Sequence, residues 1–167
     1  MTTQLPPGLL TLANHEARAA QAMDPAAWAY IAGGAGDELT LRANAEAWPA
    51  LALWPRVLQP LAGGHTRVRL AGRELAHPIL LAPWAHQRLA HPDGEVASAL
   101  AAAAQSAGYV LATQSSVPLE TVARAVLGEP GRGPLWFQLY WQADRGFNLA
   151  LAERARAAGF EALVLTV

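Results

Sequence analysis

The first part of the chain has the hydrophobic pattern of three helices separated by turns. Apolar positions recur at helical spacing over residues 9–23. Asp24-Pro25 then predicts a capped second helix, because proline is favoured at the first helical position. This helix carries Tyr30 and is stopped by the glycines at positions 33, 34 and 36. Asp37 is predicted to cap a third helix, which continues to about Trp48.

The pattern changes after residue 65. Residues 66–75 alternate polar and apolar side chains around Ala71-Gly72, which predicts a small hairpin. From Pro78 onward, short apolar runs alternate with helical stretches, and Gly108, Gly128 and Gly159 fall where those helices are expected to end. The predicted strands cover residues 79–82, 109–113, 135–140 and 162–167, and the predicted helices cover residues 93–107, 118–127 and 144–158.

The run from Pro78 to Gln87 is the clearest of these strands. It is apolar without alternation and ends abruptly in polar residues, which is typical of a strand buried on both faces of a parallel sheet. Residues just past its carboxyl end would lie where α/β folds place their chemistry. Successive strands begin roughly 26 to 30 residues apart, which approximates a (β/α)8 barrel. A doubly wound sheet alternates in the same way, so this spacing leaves both folds open.

Composition narrows the class of protein. With 167 residues, 53% of them hydrophobic and 15% charged, the chain is expected to be globular with a real core. A net charge of -1 without a basic stripe argues against nucleic acid as a main partner. The chain has no cysteine, which excludes disulfides and thiolate metal sites within it. No basic and apolar leader begins the sequence, and we expect a cytoplasmic protein.

Two further patterns could suggest a binding site but have simpler explanations. The glycine-rich stretch at residues 33–36 could suggest a phosphate-binding loop, but it follows a helix rather than a strand, which favours a turn between helices. His86 and His91 lie five residues apart near a strand end. Because no third ligand follows at a suitable spacing, we predict no metal site.

An ordered set of segments resembles one family of flavoenzymes. The segments are YIAGGAGDE at 30–38, PRVL at 55–58, PILLAPWAHQ at 78–87, HPDGE at 91–95, FQLY at 137–140, AGF at 158–160 and LTV at 165–167. Their order and separations resemble the FMN-dependent 2-hydroxy-acid oxidases and dehydrogenases, which include glycolate oxidase, lactate oxidase and flavocytochrome b2. The resemblance implies an α/β fold, a TIM (β/α)8 barrel. Residues 1–77 would form an N-terminal helical extension and hairpin, and residues 78–167 the first four strands of the barrel, truncated in the fourth.

The resemblance also implies an FMN site at the carboxyl ends of the strands. Pro83, Trp84 and Ala85 match the place where the family presents main-chain groups near the reactive flavin N5. Gln138 and Thr166 match polar residues that hydrogen-bond the pyrimidine edge of the flavin. A polar residue inside an apolar strand also has a purely structural interpretation, because a buried amide must find hydrogen-bond partners.

Substrate contacts are implied for two tyrosines. Tyr30 and Tyr140 match the residues that contact the carboxylate and the hydroxyl or keto oxygen of the substrate, although a tyrosine on an apolar helix face often only packs. Tyr140 and Gln138 are two residues apart on one strand and therefore share a face. Two positions depart from the family. Ala112 replaces a common serine, which removes one expected cofactor hydrogen bond, and Trp84 replaces a smaller residue.

The catalytic residues of the family are expected to lie outside this sequence. The histidine base, its aspartate partner, the substrate-binding arginine and the lysine near flavin N1 all follow the fourth strand in the family. The chain contains no lysine, and none of its five histidines occupies the catalytic position: His15, His65, His77, His86 and His91. We therefore assign no catalytic residue here.

Three hypotheses follow from these patterns. The first is FMN-dependent oxidation of a small (S)-2-hydroxy acid to the 2-oxo acid, with this chain as an N-terminal part that is inactive alone. Its partner would be the missing C-terminal half-barrel, supplied by the same gene or by a second polypeptide, and the full-length form is expected to be a homo-oligomer. The second is a non-catalytic truncated remnant or interaction module. The third is another FMN barrel, such as a type 2 isopentenyl-diphosphate isomerase, against which the contexts of both tyrosines argue.

Overall fold

The computed structural model describes residues 8–167. Residues 1–7 of the expected N-terminal extension lie outside this range. The chain divides into two compact units, Met1–Ala62 and Gly63–Val167, and the hairpin belongs to the second. The functional division expected after residue 77 stays a prediction. None of the helices within residues 8–167 is long and apolar enough to cross a membrane.

The first unit contains three helices, α1 (Leu12–Ala22), α2 (Pro25–Ala32) and α3 (Leu39–Ala47). Helix α1 begins later than its pattern predicts because Thr11 and Asn14 form a capping box, in which each side chain accepts a hydrogen bond from the other residue's backbone N–H. The predicted cap of α2 is confirmed, since the Asp24 carboxylate accepts hydrogen bonds from the N–H groups of Ala26 and Ala27 at 2.9 and 3.2 Å.

The predicted cap of α3 is wrong. Glu38 rather than Asp37 occupies that position, in the left-handed conformation and without a capping hydrogen bond. The Glu38 carboxylate instead accepts a hydrogen bond from the N–H of Gly34 at 3.0 Å. The glycine-rich stretch is therefore a turn between two helices, closed by the side chain of Glu38.

The second unit begins with the predicted hairpin. Strands β1 (Val68–Leu70) and β2 (Arg73–Leu75) pair antiparallel, with Val68 opposite Leu75. The turn residues Ala71 and Gly72 both have positive φ, 47° and 79°, which suits the twist of a two-residue hairpin.

Four parallel strands follow in sequential order β3-β4-β5-β6, which confirms the α/β class. The strands are β3 (Leu80–Leu81), β4 (Gly108–Leu111), β5 (Leu135–Tyr140) and β6 (Ala162–Thr166), and the helices are α4 (Gly94–Ala104), α5 (Leu119–Val126) and α6 (Arg145–Ala157). Strand β3 is shorter than predicted because it lies between Pro78 and Pro83, which have no N–H to donate to the ladder.

One predicted helix end is wrong. Gly108 does not cap α4 but begins β4, and Ser106 takes the left-handed conformation after the helix. A Cβ atom at Gly108 would lie 2.7 Å from the Leu80 side chain, so glycine permits the close approach of β3 to β4. Gly128 and Gly159 do follow α5 and α6, as predicted.

All three helices pack against one face of the parallel sheet. The strand residues in this core are Tyr109, Leu111, Leu135, Phe137 and Leu139. Their register confirms that they share a face, because Tyr109 pairs with Leu135 and Leu111 with Phe137. Phe137 is 1% exposed and meets Phe160 edge to face at 5.7 Å. The other face of β5 carries Trp136, Gln138 and Tyr140.

An ion cluster joins the hairpin to the amino end of β6. The Glu161 carboxylate accepts hydrogen bonds from Arg73 at 2.6 Å and from Arg132 at 2.7 Å. Partial burial acts to raise the pKa of Glu161, but the hydrogen bonds and charges of the two arginines outweigh it and lower the pKa below its ordinary value. This cluster lies at the end of the sheet opposite the carboxyl ends of the strands.

Candidate functional site at the carboxyl ends of the strands

Gln138 connects three parallel strands near their carboxyl ends. Its side chain is on β5 and is 2% exposed. The amide nitrogen donates to the Thr166 hydroxyl on β6 at 2.9 Å, and the amide oxygen accepts from the N–H of Thr113, after β4, at 3.0 Å. The Thr113 hydroxyl donates to the carbonyl of Gln138 and accepts from the N–H of Tyr140. The structural interpretation of Gln138 is thus confirmed, and its contact with a flavin stays a prediction.

These contacts fix the direction of the Gln138 amide. The N–H of Thr113 can only donate, so the amide oxygen must face it and the NH2 group must face Thr166. The Thr166 hydroxyl therefore accepts from Gln138 and keeps its own proton for a different acceptor. Because Thr166 is exposed, that proton is available to a ligand at this edge.

Tyr140 lies beside this pair. It is the last residue of β5, it is opposite Thr166 in the strand register, and its side chain is 41% exposed. The structure therefore brings together three of the residues predicted from sequence: Gln138, Tyr140 and Thr166.

The segment Pro83-Trp84-Ala85 begins one residue after β3 ends, at the same end of the sheet. The Trp84 side chain is 43% exposed, and its backbone carbonyl accepts a hydrogen bond from the Gln87 amide at 3.1 Å. Ala112 follows β4 and is 3% exposed. Its methyl group offers no hydrogen bond, so the cofactor contact expected of a serine at this position has no counterpart in its side chain.

Tyr30 lies on α2, in the first unit, with its side chain 56% exposed. Its contact with a substrate stays a prediction. In residues 8–167 no group of three histidine, aspartate or glutamate side chains is placed to hold a metal ion.

A buried polar cluster was not predicted from the sequence. Glu95 is 0% exposed and Gln87 is 5% exposed, and the backbone N–H of Gln87 donates to the Glu95 carboxylate at 3.1 Å. The Gln87 side chain also donates to the Tyr109 hydroxyl at 3.2 Å. One signal was present in the sequence. Glu95 lies at helical spacing from Ala99 and Ala102, which are both buried, so it belongs to the core face of α4.

Comparison with known proteins decides the family. Residues 19–167 match the FMN-dependent dehydrogenase family. The chain belongs to this family. The resemblance seen in the sequence is therefore confirmed at the family level, and FMN is the cofactor by which the family is described.

Relatives of this chain are named as oxidases of lactate, 4-hydroxymandelate and 2-hydroxy acids. The L-lactate oxidase of Alicycliphilus denitrificans is 49% identical over 164 residues, which cover 98% of this chain and 44% of the relative. The 4-hydroxymandelate oxidase of Amycolatopsis orientalis is 42% identical over 158 residues, and 2-hydroxyacid oxidase 2 of Rattus norvegicus is 36% identical over 159 residues. These two matches cover 95% of this chain and 43% and 44% of the relatives. The chain thus spans less than half the length of the curated relatives it matches.

Two solved mandelate oxidase structures are similar to this chain in fold as well as in sequence. A mandelate oxidase with 3,3-difluoro-2-hydroxy-3-phenylpropionic acid superposes with a TM-score of 0.85 and 41% identity, over 94% of this chain and 46% of that chain. A mandelate oxidase mutant with the C4a-OH-FMN adduct superposes with a TM-score of 0.81 and 40% identity, over 92% of this chain and 45% of that chain.

Proposed function

We propose that this chain forms the N-terminal half of an FMN-dependent (β/α)8 barrel that oxidises a small (S)-2-hydroxy acid to the 2-oxo acid. The observation that carries the proposal is the Gln138–Thr166 pair, which directs polar groups toward the carboxyl ends of the strands, beside Tyr140. Named relatives that are lactate, hydroxymandelate and 2-hydroxyacid oxidases support this substrate class over an isoprenoid diphosphate.

The strand order supports a barrel over a doubly wound sheet. A doubly wound sheet reverses its strand order at a switch point and carries helices on both faces. Here the order β3-β4-β5-β6 is strictly sequential, and α4, α5 and α6 all contribute to the core on one face. The opposite face, with Trp136, Gln138 and Tyr140, would then line the interior of the barrel.

The residues at this edge fit the pyrimidine ring of a flavin, which alternates hydrogen-bond donors and acceptors. The hydrogen bond to Thr166 leaves one N–H of the Gln138 amide unused, and the hydrogen bond from Thr113 leaves one lone pair of its oxygen unused. The Thr166 hydroxyl still has a proton to donate. FMN, when bound, would supply the acceptor for the hydride equivalent from the α-carbon of the substrate. Gln138 and Thr166 would hold its ring, with backbone groups of residues 83–85 along one side.

Tyr140 would contact the substrate. Its phenol can donate a hydrogen bond to a carboxylate or keto oxygen without adding charge, and its position opposite Thr166 places it next to the proposed flavin contacts. We propose the same kind of contact for Tyr30. No residue of the chain is assigned the proton-abstracting role.

Both edges of the parallel sheet are suited to a complementary half-barrel. At the β3 edge, an apolar groove is lined by Ile79, Leu81 and Ala102. At the β6 edge, Leu163 and Leu165 are 49% and 53% exposed, although their register places them on the face that helices cover elsewhere in the sheet. A partner that adds parallel strands and helices at both edges would bury these side chains and pair the open ladders.

The proposal can be tested by co-expressing the chain with the remaining, C-terminal part of the Alicycliphilus L-lactate oxidase, which is the part that this chain does not match. We expect the two polypeptides to copurify with bound flavin and to bleach its visible absorbance under anaerobic (S)-lactate, (S)-mandelate or glycolate. Copurification without flavin would contradict the cofactor assignment, and flavin without bleaching would contradict the substrate class.

A matched pair of variants tests the docking edge. Leu165→Asp should abolish copurification, because it places a charge on the surface that the partner would bury. Leu127→Asp is the control, since Leu127 is 37% exposed and follows α5, the helix that connects the two inner strands β4 and β5. Equal copurification of both variants would contradict completion of a barrel at β6.

A further inference from the structure

A buried carboxylate ties together two of the loops at the carboxyl ends of the strands. Glu95, in the first turn of α4, accepts hydrogen bonds through one oxygen from the N–H of Gln87 at 3.1 Å and from the N–H of Ser116 at 2.7 Å. Gln87 begins a short 3-10 helix, Gln87–Leu89, in the connection after β3 that also carries residues 83–85. Ser116 lies in the loop after β4, which begins at Ala112. One side-chain atom therefore sets the relative position of both loops.

The Gln87 side chain extends this connection to the backbone of Trp84. Its amide NH2 donates both hydrogens, to the Trp84 carbonyl at 3.1 Å and to the Tyr109 hydroxyl at 3.2 Å. Its amide oxygen accepts from the Ser98 hydroxyl at 2.6 Å. With three partners on three different elements, the amide has one orientation, and it holds the Trp84 peptide group in one orientation too.

The backbone between these contacts is strained. His86 has φ of 55°, a left-handed conformation that costs a residue with a side chain about 1–2 kcal/mol. Its N–H donates to the carbonyl of Gln114 at 3.1 Å, and the N–H of Arg88 donates to the Ser116 hydroxyl at 3.3 Å. Strain of this kind persists only where surrounding contacts over-determine the conformation, and it is concentrated at functional sites.

The second oxygen of Glu95 adds a further cost. Oε2 is buried and has no hydrogen-bond partner among the residues that the structure describes. An unsatisfied buried acceptor costs about 1–3 kcal/mol. Glu95 has an unsatisfied oxygen and lies near the strained backbone of His86. Its presence is therefore better explained by the loop geometry that it imposes than by a gain in stability.

We propose that Glu95 and Gln87 are positioning residues, which orient the Trp84–Ala85 backbone and the loop after β4 for contact with the flavin ring. This inference rests on the proposed function, because it assumes that the flavin lies at this edge. The inference adds that buried side chains position the backbone groups that contact the flavin, without contacting the flavin themselves.

Three variants separate this role from a general loss of stability. Glu95→Ala removes both loop contacts, and Glu95→Gln keeps an oxygen that can accept them. Gln87→Leu keeps its own N–H on Glu95 but releases the Trp84 carbonyl. Val122→Ala is the control, since Val122 is 0% exposed on α5 and its truncation weakens the core without removing a hydrogen bond from either loop.

Amide hydrogen exchange tests the loop contacts without any flavin. In Glu95→Ala we expect the Gln87 and Ser116 amides to exchange at least about tenfold faster than in Val122→Ala at equal global stability, since charged hydrogen bonds are lost. Glu95→Gln should restore slow exchange at both amides. Gln87→Leu should leave the Ser116 amide protected. Unchanged exchange at Gln87 and Ser116 in Glu95→Ala would overturn the proposal.

FMN titration of the copurified pair tests the consequence for the site. We expect Kd to rise at least about tenfold in Glu95→Ala and in Gln87→Leu, and to stay within about threefold of the original in Glu95→Gln and Val122→Ala. Equal losses in Glu95→Ala and Val122→Ala would show that Glu95 only stabilises the fold, and would overturn the positioning role. If the unmodified pair binds no FMN, the proposed function fails and with it the flavin part of this inference, whereas hydrogen exchange still decides whether Glu95 fixes the loops.

Discussion

Gln138 and Thr166 are joined diagonally across the β5–β6 pair. The strand register places Gln138 opposite Val164, yet its amide donates to the Thr166 hydroxyl, two residues further along β6, at 2.9 Å. The side chain therefore leans toward the carboxyl ends of the strands. This direction places the amide and hydroxyl at the end of the sheet where α/β enzymes bind ligands.

Replacing Gln138 with leucine should reduce both stability and flavin content. The change leaves the Thr113 N–H without its acceptor, so we expect the free energy of unfolding in urea to fall by about 1–3 kcal/mol. Thr166→Val is the matched comparison, because it removes the exposed hydroxyl and leaves Thr113 satisfied. It should lower flavin content, and because it leaves the buried NH2 group of Gln138 without its acceptor, it should also cost about 1–3 kcal/mol of unfolding free energy. Full flavin content in Gln138→Leu would show that the Gln138 amide does not bind the flavin.

Acid should weaken the Glu161 cluster. Partial burial alone would raise the pKa of Glu161, but Arg73 and Arg132 lower it below its ordinary value of 4.5. Their stabilising effect is therefore fully present above pH 4.5 and is lost as pH falls through the lowered pKa. Glu161→Gln should cost about 1–2 kcal/mol of unfolding free energy at neutral pH and progressively less as pH falls below 4.5.

Glu153→Gln is the control for this acid dependence. Glu153 pairs with Arg156 at 2.7 Å, but both side chains are largely exposed, so we expect little change in unfolding free energy at any pH. A difference between Glu161→Gln and the unmodified chain that stays constant with pH would contradict the linkage.

High pH should lower the free energy of unfolding through the ionisation of Tyr109. Burial, together with the nearby Glu95 charge, raises the pKa of this phenol to about 12, and the hydrogen bond from Gln87 offsets this only in part. The neutral phenol stabilises the fold fully below its ordinary pKa of 10.0, and this stabilisation is lost as pH rises from there through about 12. The effect amounts to about 2–3 kcal/mol. Tyr109→Phe should flatten the alkaline decline of unfolding free energy, measured by denaturant titration, and an unchanged slope would contradict this.

The 167-residue polypeptide should self-associate when it is made alone. The exposed leucines of β6 and the unpaired strand edges favour contact between copies. Sedimentation should show concentration-dependent oligomers, which the double change Leu163→Lys with Leu165→Lys should reduce. A monodisperse monomer of the unmodified chain would contradict this prediction.

Much of the fold could be predicted because its signals are local. Apolar runs, proline and glycine positions and the Asp24-Pro25 cap depend on a few neighbouring residues, and most of the predicted elements form within a few residues of their expected bounds. Of the two main errors, one has a local cause and the other a tertiary one. Thr11 and Asn14 form a capping box that shortens α1, and Gly108 begins a strand because β3 passes close to it.

The sequence by itself determined the alternation of strands and helices, the family, and the presence of Gln138, Tyr140 and Thr166 near strand ends. Only the tertiary structure decided how these residues are used. It showed that the Gln138 side chain is hydrogen-bonded to Thr113 and Thr166, which are 25 and 28 residues away in the sequence. It also showed that Glu95 is buried between two loops. The physical reason is that strand register and helix docking bring distant polar groups within hydrogen-bonding distance, and local periodicity does not encode which of them will meet.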